Sequence, residues 1–135
     1  METYRSKIKV SFKYQGYDIE NMALATLIEH ELAAGEAAWK DANEGKARVC
    51  ARRAVALAID AWRARLAVPA WRGDTMEYLR RLQQDMSLPG SVRQAAERLS
   101  TTVTRRHDAP FTTDPIGDAR VIVAYLVAHT PERVA

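Results

Sequence analysis

The 135-residue chain contains one cysteine, Cys50, so no intrachain disulfide can form. A lone thiol in a chain of this size fits a reducing compartment. Aromatics make up 7% of the residues, which disfavours a sandwich of strands, whose pleated faces are enriched in aromatic side chains. No apolar run approaches the roughly 18 residues of a membrane-spanning helix. The N-terminus shows no charged-then-apolar leader, because Arg5, Lys7, Lys9 and Lys13 stud it. These absences predict a cytoplasmic chain that does not cross a membrane.

Motifs for chemistry are also lacking. Cys50, His30, His107 and His129 lie outside metal-ligand spacing of one another, whereas zinc needs four such ligands, or three plus water. Glu29, Glu36 and Glu97 lack the Glu-x-x-His pairing by which di-iron bundles hold metal. No glycine-framed serine follows a strand pattern. No glycine-rich loop opens a helix to cradle phosphate. The expectation is therefore no metal and no cofactor.

What is present is helix. The composition, 47% hydrophobic and 27% charged, is that of one globular domain. A chain of this length buries roughly 65–70% of its unfolded surface on folding. Residues 1–17 read as a short extended arm, since Ile8, Val10, Phe12 and Tyr14 alternate with Lys7, Lys9, Ser11 and Lys13. No second alternating run offers the arm an intrachain partner. Residues 18–135 read as an all-α, up-down bundle of about five helices.

Asp18 is expected to cap a first helix running to about Asp41, with Ala25, Ile28, Leu32, Gly35, Glu36 and Trp39 on its inner face. Asn43-Glu44-Gly45 reads as the turn of a long antiparallel hairpin. The second helix carries an apolar stripe of Cys50, Ala54, Leu57, Ala58, Ala61 and Trp62, and Pro69 follows its end. Asp74 with Glu77 resembles a capping box for a third helix, with Met76, Leu79, Leu82 and Met86 inward. Ser91 is expected to cap the fourth, with Val92, Ala95, Ala96, Leu99 and Val103 inward. Asp114 with Pro115 opens the last, whose core face is Ala119, Ile122, Val123, Leu126 and Val127.

Charge is distributed unevenly along the hairpin. Residues 18–44 hold seven acids and one base, and residues 46–65 hold six bases and one acid. Two readings follow: the helices attract each other, or the basic helix meets a phosphate-bearing partner. Arg48 and Arg52 stand one turn apart, away from the Cys50–Trp62 stripe, where guanidinium forks suit phosphate. Arg105, Arg106, His107 and Asp108 form a second cluster before the last helix. That cluster reads either as an anion site or as a polar loop. Trp39 and Trp71 are candidate stacking surfaces for a base, or core residues and dimer anchors.

The order of these elements resembles the HEPN domain family. The resemblance spans about Leu27 to His129. It is carried by the hairpin ELAAGEAAWKDANEGKARVCARRAVALAIDAWRARL and by the segments MEYLRRLQQD, VRQAAERLSTTVTRRHDAP and DPIGDARVIVAYLVAH. Membership implies a cytoplasmic helical bundle, usually a homodimer, with a groove for nucleotide or RNA. It also implies a partner protein encoded nearby, often a small nucleotidyltransferase in a toxin–antitoxin pair. The family's ribonuclease branch carries an Arg followed, four to six residues on, by a His. His107 has no such arginine before it, and Arg120 and His129 are nine positions apart. The reading is thus a non-catalytic nucleotide- or RNA-binding domain using Arg48, Arg52, Arg105, Arg106, His107 and Asp108. A protein-interaction module is the alternative. A ribonuclease using His107 with Arg106 is the third.

Overall fold

The computed structural model describes residues 13–14, 17–18, 23–65, 71–101 and 112–129. These hold five α-helices in an all-α bundle: α1 (Leu24–Lys40), α2 (Glu44–Arg65), α3 (Thr75–Gln84), α4 (Gly90–Ser100) and α5 (Pro115–Ala128). Before them, β1 (Lys13–Tyr14) pairs antiparallel with β2 (Tyr17–Asp18), Lys13 opposite Asp18. The end of the arm thus finds a partner within the chain, in a strand that straddles the expected boundary at residue 17. Asp18 belongs to this ladder, and the residues it is expected to cap, 19–22, lie outside the described residues.

Helix α1 starts at Leu24, after Ala23, which offers no side-chain cap. Its buried residues are Leu27, Ile28, Glu31, Leu32, Gly35 and Ala38, a seam at helical spacing. Ala25 and Glu36, expected inward, are exposed. The hairpin turn lies two residues earlier than expected, because Glu44 and Gly45 already belong to α2. Ala42 adopts a left-handed φ of 62°. Asn43 N–H donates to Ala38 O, and Ala42 N–H to Trp39 O, the paired bonds of a Schellman ending. Asn43 then serves the next helix, its side chain accepting from Lys46 N–H at 3.2 Å. An alanine held left-handed costs about 1–2 kcal/mol; the two carbonyls satisfied there offset it.

Helix α2 packs against all four other helices. Its buried positions are Ala47, Cys50, Ala51, Ala54, Val55, Ala58 and Ile59, so the surface it presents is mostly methyl groups. Leu57, Ala61 and Trp62 of the expected stripe are half-buried. Gly35 lets α1 approach both α2 and α5 closely. A Cβ there would stand 2.5 Å from Ile116 Cδ1 and 3.1 Å from Cys50 Cβ.

The shorter helices are set by their caps. Asp74 accepts from Glu77 N–H at 2.9 Å, while the Glu77 carboxylate accepts from Arg80 at 3.1 Å. Asp114 accepts from Gly117 N–H at 2.9 Å, with Pro115 at the first helical position as expected. Ser91 is not a cap: α4 begins at Gly90 after Pro89, without a side-chain bond. Leu79, Leu82, Leu88, Val92, Ala95, Ala96 and Leu99 join Ile122 and Leu126 in the core. Met86 and Val127, expected inward, are 75% and 61% exposed. Val103 and Pro69 lie outside the described residues.

Overpacking the α1–α2 contact should be costly. Gly35→Val is expected to lower stability by about 2–3 kcal/mol in urea titration. Gly35→Ala should cost less, because the gain in helix propensity of ~1 kcal/mol opposes the clash.

Candidate functional site

The two arginines of the expected basic face are both engaged by backbone carbonyls. Arg52 Nε donates to Leu99 O, in the last turn of α4, at 2.8 Å. Arg48 Nη2 donates to Thr112 O, just before α5, at 3.1 Å. Arg48 also reaches Glu44 at 3.5 Å and lies over the Trp39 ring at 5.9 Å. Its side chain is 12% exposed, and its Nε has no hydrogen-bond partner. Burial, and next the charge of Arg48, push the Arg52 guanidinium down from its ordinary value.

Leu99 and Thr112 flank the connection that carries Arg105, Arg106, His107 and Asp108. Those four residues lie outside the described residues. The geometry therefore brings Arg48 and Arg52 to the two roots of that connection.

Capping of this kind recurs. Arg65 Nη2 donates to Leu126 O, in the last turn of α5, at 2.8 Å. Arg93 Nε donates to Gln83 O, in the last turn of α3, at 3.1 Å. The last carbonyls of a helix lack intrahelical donors and carry the negative end of its dipole, so cations are favoured there. Trp62 Nε1 adds a bond to His129 O at 3.1 Å.

The acids of α1 find their partner outside the hairpin: Glu29 and Glu36 face Arg120 of α5, at 3.6 and 4.0 Å. Arg98 of α4 grips Asp118 of α5 through two bonds, at 2.8 and 3.1 Å. The Asp118 bond holds the Arg98 guanidinium above its ordinary value.

Two groups on the α1–α2 seam are polar. Glu31 is 3% exposed, and its Oε1 has no hydrogen-bond partner. The buried Cys50 faces it. Burial, and next the Glu31 carboxylate, push the Cys50 thiol up from its ordinary value, which makes it a poor nucleophile.

A second cluster lies at the other end of α2; of its members, only Trp71 stands out from the sequence pattern. The Arg63 and Arg81 guanidiniums each lie 5.0 Å from the Trp71 ring centroid. Tyr78 meets that ring edge-on, centroids 5.5 Å apart at 89°. Its hydroxyl lies 2.9 Å from Trp71 O and 3.1 Å from Asp60 Oδ1, sharing one proton between them. Burial pushes the Asp60 carboxyl up, against the opposing pull of Tyr78 and Arg63. The available signal is Arg63, Arg72 and Arg81 falling within ten positions of Trp71.

Among the described residues, no group of three or more His, Cys, Asp or Glu could hold a metal ion. No described helix is long and apolar enough to cross a membrane. A shallow open groove of about 530 Å³ runs between the end of α3 and the start of α4, lined by Gln83, Gln94, Arg93 and Glu97 among others. It brings together no acid, base and nucleophile. Comparison with protein-family models, curated proteins and solved structures finds no match to this chain.

Asp60 should give stability a pH dependence of definite sign. Its folded pKa is raised, so its contribution is full below the ordinary aspartate value near ~3.9 and is lost as pH rises through the folded value. Asp60→Asn keeps an acceptor for Tyr78. Thermal melts should show the variant more stable than wild type at pH 7, with the gap closing as pH falls below about 4.

Proposed function

We propose that the chain is a non-catalytic nucleotide- or RNA-binding helical domain of HEPN type. It acts as a homodimer and works with a nucleotidyltransferase or antitoxin partner. The observation that carries this reading is the arginine pair at the roots of the 102–111 connection, at Leu99 O and Thr112 O. Arg105, Arg106 and His107 hold phosphate from that connection, and Asp108 orients one of the bases. Arg48 supports the connection rather than meeting ligand, since its Nη2 is taken by Thr112 O and its Nη1 by Glu44. Arg52 uses Nε for Leu99 and its terminal nitrogens for phosphate.

Dimerisation draws support from α5. Apolar side chains gathered on an exposed helix face mark an interaction surface. The inner side of α5 fills the core, yet Val121, Ala124, Val127 and Ala128 are exposed on it. The same face favours a second reading, a protein-interaction module without nucleic acid.

Two measurements test these statements. Labelled RNA and free nucleotides, titrated at two salt concentrations, should bind more tightly at the lower salt, because phosphate contacts release counterions. Absence of binding at low salt removes the nucleic-acid reading. Val121→Glu combined with Val127→Glu should convert the dimer to a monomer in sedimentation without lowering helix content. An unchanged sedimentation coefficient would count against α5 as the interface.

A further inference from the structure

The cluster around Trp71 gathers arginines from two helices on one indole ring. Arg63 and Arg81 are both drawn to one indole ring, each 5.0 Å from its centroid. They repel: the charge of Arg81 is second only to burial in pushing the Arg63 guanidinium down. Arg72, next to Trp71 in the chain, is exposed, as is Arg81. Among the described residues neither Arg72 nor Arg81 makes an ion pair. The nearby Glu77 is taken by Arg80 at 3.1 Å, while Asp60, which accepts from Tyr78, offsets part of the Arg63 charge only.

The ring between these cations is fixed from the core side. Tyr78, 8% exposed, supports it edge-on and bonds Trp71 O. The indole and the guanidiniums over it are therefore set before any ligand arrives, which lowers the entropy cost of binding.

Like charges gathered on an aromatic have a natural complement. A phosphate takes the donor edge of a guanidinium, and a base takes a guanidinium or indole face by stacking. Single-stranded nucleic acid alternates those two groups along its length. A carboxylate-bearing peptide would match the charge but not the stacking surface.

We infer that Trp71, Arg63, Arg72 and Arg81 form a second contact for single-stranded RNA. This contact is separate from the 102–111 connection and rests on the RNA-binding reading above. Arg52 and Arg63 are eleven residues apart on α2, about 16 Å along its axis. A bound strand meets the protein at the middle and at the C-terminal end of that helix.

The test is fluorescence anisotropy with labelled oligouridine across a range of salt. Arg72→Gln with Arg81→Gln changes two exposed side chains and should leave the melting temperature unchanged. Affinity at low salt should fall about tenfold, and the slope of log affinity against log salt should fall by about 0.7 for each phosphate no longer neutralised. Trp71→Phe should abolish any quenching of tryptophan fluorescence by oligouridine. Arg120→Gln, which alters an exposed arginine held by Glu29 and Glu36, should bind as wild type does.

If the Arg72/Arg81 variant keeps wild-type affinity and slope while Arg105→Gln with Arg106→Gln loses binding, the second contact is wrong and the RNA reading stands. If wild type ignores oligouridine but binds oligoglutamate, and the Arg72/Arg81 variant does not, the cluster docks an acidic protein and both readings fall.

Discussion

Helix α2 is touched by every other helix, and its buried alanines make that possible. A helix lined with leucine would hold its neighbours at the wide end of the 8–10 Å range of packed axes. Ala47, Ala51, Ala54 and Ala58 draw them in, and Gly35 on α1 removes the last obstacle on one side. Close approach brings dispersion contacts between main chains that small side chains could not supply alone. The bundle therefore depends on what α2 leaves out. The larger residues filling the space around it, Leu79, Leu82, Leu99, Ile122 and Leu126, come from the other helices.

That arrangement creates a polar difficulty, and arginine resolves it. Short helices packed on a central one end against other parts of the protein, where their last carbonyls lack partners. Arg52, Arg65 and Arg93 reach three of these helix ends. Much of the basic charge is consequently internal bonding and not a surface for ligands. The cations around Trp71 differ, because they meet an aromatic face and one another. Cationic charge gathered on a stacking surface thus sits at the C-terminal end of α2 rather than at its middle.

Much of the fold is legible from periodicity and capping. Asp74, Asp114 and Pro115 open helices as their side chains predict, and the inward faces of α3, α4 and α5 largely follow the helical spacing. The differences have specific causes. The described part of the first helix starts at Leu24 after an uncapping Ala23, while Asp18 pairs with Lys13 in a two-residue ladder that no alternating run announces. Gly45 draws the expected turn towards itself, while Ala42 takes the left-handed position that glycine usually fills. Met86 falls in the turn beyond the end of α3, so the helical spacing that points it inward no longer holds, and Val127 sits on the outer side of α5. Glu31 gives no sign of burial in the sequence, because a carboxylate on a helix ordinarily faces solvent.

The basic site is less legible. Spacing places Arg48 and Arg52 on one helical face, but it carries no information about which carbonyls lie within reach. Arg63 and Arg81 are eighteen positions apart and meet only because α3 folds back on α2 around Trp71. The helical class, the hairpin and most of the buried faces are settled by the amino-acid order, since they depend on periodicity and local capping. Which arginines satisfy helix ends, and which gather at an aromatic ring, is settled only by tertiary packing. A guanidinium reaches several ångströms from its backbone, and its partner is set by what the packing of other helices brings within that reach.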